Sequence, residues 1–551
     1  MELLEKCIAE YKRWIENTKD DAETAAQLAA LQDDPDELTE SFYTGLGFGT
    51  SGIRGILGAG PNRLNKYVVR KVSLGLADRI LSEPDAERAI VIAYDSRRHS
   101  YDFAVETAYV MASRGIKAKL FPALTPVPVL SYSIDKLGCS YGVMITASHN
   151  PAFYNGYKVY GAEGFQVVGD EPELILAMMN GHDFFESLTP DEKLIEVLDS
   201  KIPDSFIREV CSFAPRLPDP EIAAGIRIIY TPLNGTGNRF VRDVLAESGF
   251  SDVIAVPDQE LPDENFTTCK SPNPEKLSAF NEAFRVLDRK KGDIIIATDP
   301  DADRVGAALI HNGTKIALTG NQIAVLMLDF LCEMKEHGKN AVIYRSVVST
   351  PMADIIAAKH GIGVKTTLTG FKYIGEAISK MIRKGAADDY FFGFEESNGF
   401  LISPFIRDKD GISSSLMIAL MAAYQKSQGR DLIDRLGMLG REYMHYHERN
   451  RSYMFEGLKG IDTMREIMNR FRAFDVNAAN PLCATERIDY ADDDTGLPKS
   501  DMVEFRTVAG SRIIIRPSGT ESKIKVYMYL LDDEVELAER TDEIISSFKL
   551  Y

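Results

Sequence analysis

The feature that most constrains this chain is a repeated change of rhythm. Short apolar runs that read as buried strands give way to a polar loop and then to helical spacing, several times over. Ala89 to Tyr94 (AIVIAY) is such a run, followed by helical spacing from Tyr101 to Ser113 that Gly115 closes. Lys117 to Phe121 is extended again, and Tyr141 to Thr146 (YGVMIT) ends in a polar loop. The pattern restarts at Gly225 to Tyr230, with a strand from Asp293 to Ala297. It restarts once more after Gly320, with a helix from Ile323 to Met334 and a strand from Ala341 to Tyr344. These fresh starts predict three successive α/β domains rather than one large sheet. The last hundred residues differ. Strands Val503 to Thr507, Arg512 to Ile515 and Lys523 to Leu530 follow one another and lead into a polar helix, the pattern of a smaller α+β domain. A chain of 551 residues is too long for one core, and we expect boundaries at 1–215, 216–322, 323–445 and 446–551. The first forty residues read as two polar helices broken at Asp33-Asp34-Pro35-Asp36.

Composition excludes more than it assigns. A formal net charge of −19 argues against a nucleic-acid partner and against an anionic membrane surface. An anionic substrate stays possible only if basic residues gather locally against that sign. Six scattered cysteines without metal spacing read as reduced thiols, and the acidic N-terminus has no apolar leader, so a cytoplasmic protein is expected. No apolar run is long enough to span a bilayer.

Five loops carry chemistry. Gly49-Thr50-Ser51-Gly52-Ile53-Arg54-Gly55 frees backbone N–H groups for an anion, and Arg54 adds a forked donor; a tight turn with a solvated arginine would look the same. Thr146-Ala147-Ser148-His149-Asn150-Pro151 follows a strand, and Pro151 delays any helix, so Ser148 can face a cleft. A serine beside a histidine invites a triad reading, but neighbours on an extended loop point apart and no nucleophile-elbow glycines flank the serine. Lys158 lies near enough along the chain to return to the same cleft.

Asp299-Pro300-Asp301-Ala302-Asp303-Arg304 also follows a strand. Alternating carboxylates in an extended loop would place three hard oxygen ligands on one side, where they repel one another unless a cation such as Mg²⁺ or Ca²⁺ is bound. Gly393-Phe394-Glu395-Glu396-Ser397-Asn398-Gly399, with Arg407-Asp408-Lys409-Asp410-Gly411 soon after, suits the reading of neighbouring sugar hydroxyls, because each carboxylate accepts two donors. Arg516-Pro517-Ser518-Gly519-Thr520-Glu521 combines arginine, hydroxyls and a glycine amide into an anion nest. Each loop has an ordinary structural reading. Together they are the parts for phosphoryl transfer on a polyhydroxylated substrate.

In order, FGTSGIRG, TASHNP, DPDADR, GFEESNG and RPSGTE resemble the α-D-phosphohexomutase superfamily of phosphoglucomutases and phosphomannomutases across nearly the whole chain. The lead YKRW, FYTGLGFGTSGIRG and NRLNKYVVRK is most similar to the bacterial α-phosphoglucomutase branch, which is related to animal phosphopentomutases. The resemblance implies three α/β domains with mixed sheets, a small fourth domain and an active site in the central cleft. It implies Ser148 as the phosphoserine, and Asp299, Asp301 and Asp303 as Mg²⁺ ligands together with a Ser148 phosphate oxygen. Arg54 and Arg304 would surround the transferred phosphate, and His149 or Lys158 would be the acid/base. Glu395 and Ser397 would contact sugar hydroxyls, with Lys372 and Lys409 as further substrate contacts. Arg516, Ser518, Gly519 and Thr520 would hold the non-transferred phosphate. Asn398 stands where phosphoglucomutases often carry an aromatic residue.

The expected activity is interconversion of glucose 1-phosphate and glucose 6-phosphate through phosphoserine, with glucose 1,6-bisphosphate as intermediate and activator. Phosphopentomutase or phosphomannomutase activity by the same route is the runner-up. A serine-dependent metallophosphatase would leave the sugar-reading and phosphate loops unexplained. A sugar-phosphate sensor would have no need to retain Ser148 and all three aspartates. The expected partners are small sugar phosphates, with a monomer or weak homodimer as the assembly.

Overall fold

The computed structural model describes residues 2–47, 49, 52–84, 87–455, 458–478, 480–518 and 523–547. Strands are numbered in chain order. The first sheet contains β1 (Gly52–Ile56), β2 (Ala89–Tyr94), β3 (Lys117–Leu120), β4 (Tyr141–Ile145), β5 (Tyr154–Gly161) and β6 (Ile195–Val197), in the order β1-β5-β4-β2-β3-β6. Its centre is parallel, because helices cross over between β2, β3 and β4. The β1 and β5 strands are antiparallel to their neighbours, so the sheet is mixed.

The second sheet orders β7 (Ile228–Thr231), β8 (Val253–Ala255), β9 (Ile294–Thr298), β10 (Val305–His311) and β11 (Thr314–Ala317) as β11-β10-β9-β7-β8. The third orders β12 (Val342–Ser346), β13 (Gly363–Thr367), β14 (Tyr390–Glu395) and β15 (Gly399–Leu401) as β13-β12-β14-β15. Both are mixed as well. The last sheet is wholly antiparallel. Its β16 (His447–Met454), β17 (Ala484–Asp489), β18 (Val503–Thr507), β19 (Arg512–Pro517) and β20 (Lys523–Leu530) run in the order β16-β20-β19-β18-β17. Three mixed α/β layers and a smaller α+β end are thus what the strand–helix rhythm predicts.

Two sequence expectations are corrected. The N-terminal segment forms three helices, Glu2–Asn17, Ala22–Leu31 and Pro35–Phe42, not two. The additional break lies at Asp21, whose side chain accepts from Thr24 N and caps the second helix. Nor are these helices simply polar. Trp14 is fully buried, with Phe42, Tyr67, Phe184 and Phe185 packed around its ring.

Core continuity separates the sheets into two bodies. One apolar cluster runs from Ala89 and Val91 through Ile228 and Ile296 to Ile343 and Phe392, crossing the first three sheets. At its heart lies the helix Gly411–Ser427, buried over nearly its whole length because apolar and small residues cover every face. The last sheet has its own core, with Ile467, Phe471, Ile513, Val526 and Met528. Among the described residues, a small apolar cluster of Val347, Val348, Tyr490, Met502, Ile514, Tyr527 and Tyr529 joins it to the third sheet.

Candidate active site

The C-terminal ends of β4, β9, β14 and β19 carry four of the five chemical loops. Ser148 follows β4, is 3% exposed, and adopts a φ of 52°, a left-handed conformation uncommon for serine. That twist overturns the expectation that Ser148 and His149 point apart. Ser148 Oγ lies 3.1 Å from His149 Nδ1 and donates to Asp299 Oδ2 at 2.8 Å. Burial, and behind it the charges of Arg304 and Arg54, push the His149 imidazole far below its ordinary range, so the ring is neutral at neutral pH.

What holds this strained loop is a buried pair that the sequence reading missed. Arg97, just beyond β2, donates from its guanidinium to the carbonyls of Ser148, Asn150, Pro151 and Tyr154 at 2.5 to 3.0 Å. Asp95 pairs with Arg97 at 3.2 Å and accepts from Thr146 Oγ1 at 2.6 Å, while Thr146 Oγ1 accepts from Ser148 N at 2.8 Å. The available signal was a charged Asp95-Ser96-Arg97 directly after a fully apolar strand.

The aspartate loop is not extended, as the alternation of residues predicts, but a compact turn. Ala302 has a φ of 51°, and its N–H closes back on Asp299 O at 2.9 Å. The turn still converges the carboxylates. Asp299, Asp301 and Asp303 are all buried, with ligand-capable oxygens within 4.8 Å of one another. Asp299 is held well above its ordinary pKa, first by burial and then by repulsion from Asp301 and Asp303. Lys158, on β5, donates to Asp301 at 2.7 Å, and Lys409 lies 3.1 Å from Asp303. Burial opposes the charge on Lys158, but the pull of Asp301 and Asp303 outweighs it and raises its pKa. These two ammoniums leave Asp301 Oδ1 and Asp303 Oδ1 buried without a hydrogen-bond partner. Three buried carboxylates with two unused oxygens fit a hard divalent cation.

Arg304 donates its backbone N–H to Asp299 Oδ1 at 3.0 Å, and its guanidinium pairs with Glu275, which sequence reasoning did not single out. Arg54 is on strand β1, not in a loop as expected. Its Nη1 reaches Asn150 Oδ1 at 3.1 Å, beside Ser148. The pairing of β1 with β5, Gly52 opposite Lys158, brings Arg54 and Lys158 to the same rim.

Adjoining the aspartate turn through Lys409, a cavity of about 240 Å³ is lined by Gln166, Phe371, Lys372, Lys409, Lys499 and Arg516, among others. Four cations in one cavity meet the demand that the chain's net negative charge places on an anionic ligand. Glu395 ends β14 and accepts from Gly370 N at 2.6 Å at the same place. Ser397 is half-buried in the following turn. Asn398, between Ser397 and β15, is buried. With a φ of 60°, it donates from Nδ2 to Val305 O at 3.0 Å and accepts from Val305 N, stitching the β14–β15 turn to β10. Ser518 follows Arg516, and its N–H bonds Lys523 O at 2.8 Å. Gly519 and Thr520 lie outside the described residues, as do Thr50 and Ser51.

Four sequence profiles of one family match the chain in order. They are phosphoglucomutase/phosphomannomutase alpha/beta/alpha domain I over residues 45–186, domain II over 204–312, domain III over 319–438 and the C-terminal domain over 469–546. The chain belongs to the phosphoglucomutase/phosphomannomutase family. A phosphoglucomutase from Staphylococcus epidermidis is 34% identical over 532 residues, covering 93% of this chain and 95% of its own length. One from Staphylococcus haemolyticus is 35% identical over 515 residues, covering 90% and 92%. Among solved structures, parafusin (phosphoglucomutase) from Paramecium in its open form superposes with a TM-score of 0.69 at 20% identity, covering 92% of this chain and 95% of that one. A family member from Burkholderia thailandensis gives 0.69 at 16% identity, covering 91% and 97%. These likenesses describe the fold, and mutases of this family are isomerases that move a phosphoryl group within a substrate.

Proposed function

We propose that the chain is a phosphoglucomutase that passes a phosphoryl group between the 1- and 6-hydroxyls of glucose phosphate by way of Ser148. The observation that carries this reading is the position of Ser148 Oγ, 2.8 Å from Asp299 of the three-aspartate cluster, which Lys409 joins to a cavity lined by Lys372, Lys499 and Arg516. Phosphoglucomutases from staphylococci, similar over nine-tenths of their length, support glucose as the sugar.

A free serine hydroxyl is a poor nucleophile, so the productive resting state is phosphoserine, with a charge of about −1.5 to −2. Asp299, Asp301 and Asp303, with an oxygen of that phosphate, would hold Mg²⁺, which neutralises charge developing during in-line transfer. The non-transferred phosphate docks at Arg516, Ser518, Gly519 and Thr520, with Lys372 nearby. Glu395 and Ser397 take sugar hydroxyls, leaving the opposite hydroxyl facing Ser148. Arg54 and Arg304 flank the moving phosphate. Of the two acid/base candidates, Lys158 is held charged by Asp301 and Asp303, while neutral His149 already has its ring nitrogen toward Ser148 Oγ. Either would take the proton of the attacking sugar hydroxyl, Lys158 only after giving up its own. Glucose 1,6-bisphosphate forms in the cleft and must turn end over end, so a few hydroxyl contacts serve better than a tight mould.

Incubation with glucose 1,6-bisphosphate should add one phosphate to the peptide containing Ser148. A coupled assay should favour glucose 1-phosphate over mannose and ribose 1-phosphates and release little free phosphate. The Ser148→Ala variant should lose turnover with its circular dichroism unchanged. Normal turnover in that variant defeats the covalent route, whereas preference for ribose or mannose phosphate changes only the sugar.

A further inference from the structure

Outside the cleft, a second set of metal-ligating side chains meets at the joint between the third and fourth sheets. His445 Nδ1 and His447 Nε2 lie 3.2 Å and 2.7 Å from the same oxygen, Asp532 Oδ1. The two rings meet edge to face, with centroids 4.6 Å apart, and the three candidate ligand atoms all lie within 4.8 Å of one another. The backbone sets this up. His447 opens β16 opposite Leu530 of β20, which places Asp532 at the turn just beyond. His445 stands two residues before β16, and its Nδ1 reaches the same Asp532 oxygen.

Asp532 Oδ1 has lone pairs for both imidazole contacts, which are hydrogen bonds as they stand. The same three atoms, close together and reachable from solvent, each offer a lone pair to a dication. Nitrogen ligands with one carboxylate select zinc-class transition metals over Mg²⁺, which prefers oxygen. Asp533 and Glu534, next in sequence, add negative charge without occupying the site. His445 and Asp532 are exposed, so an ion can enter without unfolding.

The location gives such an ion leverage. A cavity of about 700 Å³ separates Gly437, Gly440 and Arg441, in the helix Leu432–Glu442, from Leu531, Asp532 and Glu534 beside the last sheet, and His445 is part of its wall. The residues between that helix and β16 are the covalent link between the two bodies defined by the separate cores. We propose that His445, His447 and Asp532 bind a zinc-class dication that clamps this link and slows movement of the last domain.

The test uses untagged, chelator-stripped protein in saturating Mg²⁺, titrated calorimetrically with ZnCl₂ at neutral pH. A saturable site is expected. Its affinity should weaken by about tenfold or more in the His445→Ala/His447→Ala and Asp532→Asn variants, as for loss of ligands. Both variants should retain Mg²⁺-dependent turnover, and Zn²⁺ should slow the wild type but not the variants. Co²⁺ bound to the wild type should show a nitrogen-ligand absorption band that the double variant lacks. Absence of saturable binding in the wild type, or unchanged affinity in the double variant, overturns the site. Binding without any effect on turnover overturns the clamp.

Discussion

Ser148 shows how much a single residue depends on its neighbours. Its left-handed backbone costs on the order of 1–3 kcal/mol and persists only if the surroundings enforce it. Arg97 is the enforcer, gathering four loop carbonyls while paired with buried Asp95. Arg97→Ala should therefore destabilise the protein by about 3–5 kcal/mol, because Asp95 is left buried and uncompensated. Turnover should fall in the same variant, measured by urea unfolding alongside the coupled assay. Asp301→Asn makes the opposite separation. It removes a proposed metal ligand but also relieves repulsion among three acids, so the rate should drop by about 100-fold or more with little change in melting temperature. An unaffected rate would mean that the acidic turn is structural.

Among elements, the turn between β14 and β15 carries a titration that the fold imposes. Burial, followed by repulsion from Glu395, raises Glu396 to about 7, although Ser346 Oγ donates to it at 3.0 Å. A carboxyl with a raised folded-state pKa takes up protons on folding. Its effect on stability is therefore neutral below its unfolded pKa, increasingly unfavourable as pH rises toward 7, and constant above that. Glu396→Gln should consequently gain stability relative to wild type between pH 5 and pH 8, read as a growing difference in urea midpoint. A difference that shrinks over that range contradicts the assignment.

Elements differed in how readable they were. Buried central strands such as β2, β4 and β9 appear as unbroken apolar runs, because both faces are covered. The edge strand β1 does not, because glycines and Arg54 dominate it. Its pairing rests on Gly52, whose φ of 146° and close approach to Tyr157 O leave no room for a Cβ. The aspartate turn was legible as chemistry but not as shape, since a left-handed Ala302 has no sequence signature.

For the whole molecule, the division of cores predicts its motion. Three sheets share one apolar cluster, while the fourth has its own and touches the third through a small apolar patch and polar ties that include Arg512 to Val347 O at 3.0 Å, Asn321 to Tyr529 Oη at 3.1 Å and Asn321 to Glu448 at 2.7 Å. The last domain should swing as a unit to exclude water from the phosphoserine. Small-angle scattering should show a smaller radius of gyration when glucose 1,6-bisphosphate is bound, and Arg516→Ala should lessen that change. An unchanged radius in the wild type would argue for a permanently closed cleft.

Local order in the chain was enough to establish the three α/β units, the antiparallel end and the residues of the chemical loops. Apolar runs, prolines and charged clusters act over a few neighbours and leave their mark in the sequence. Which loops face one another was decided only by folding. Arg97 beneath Ser148, Lys409 beside Asp303 and Asn398 bound to Val305 are pairings across tens to hundreds of residues. Such contacts follow from how the helix Gly411–Ser427 and the shared core bring separate sheets together, and no local pattern encodes that geometry.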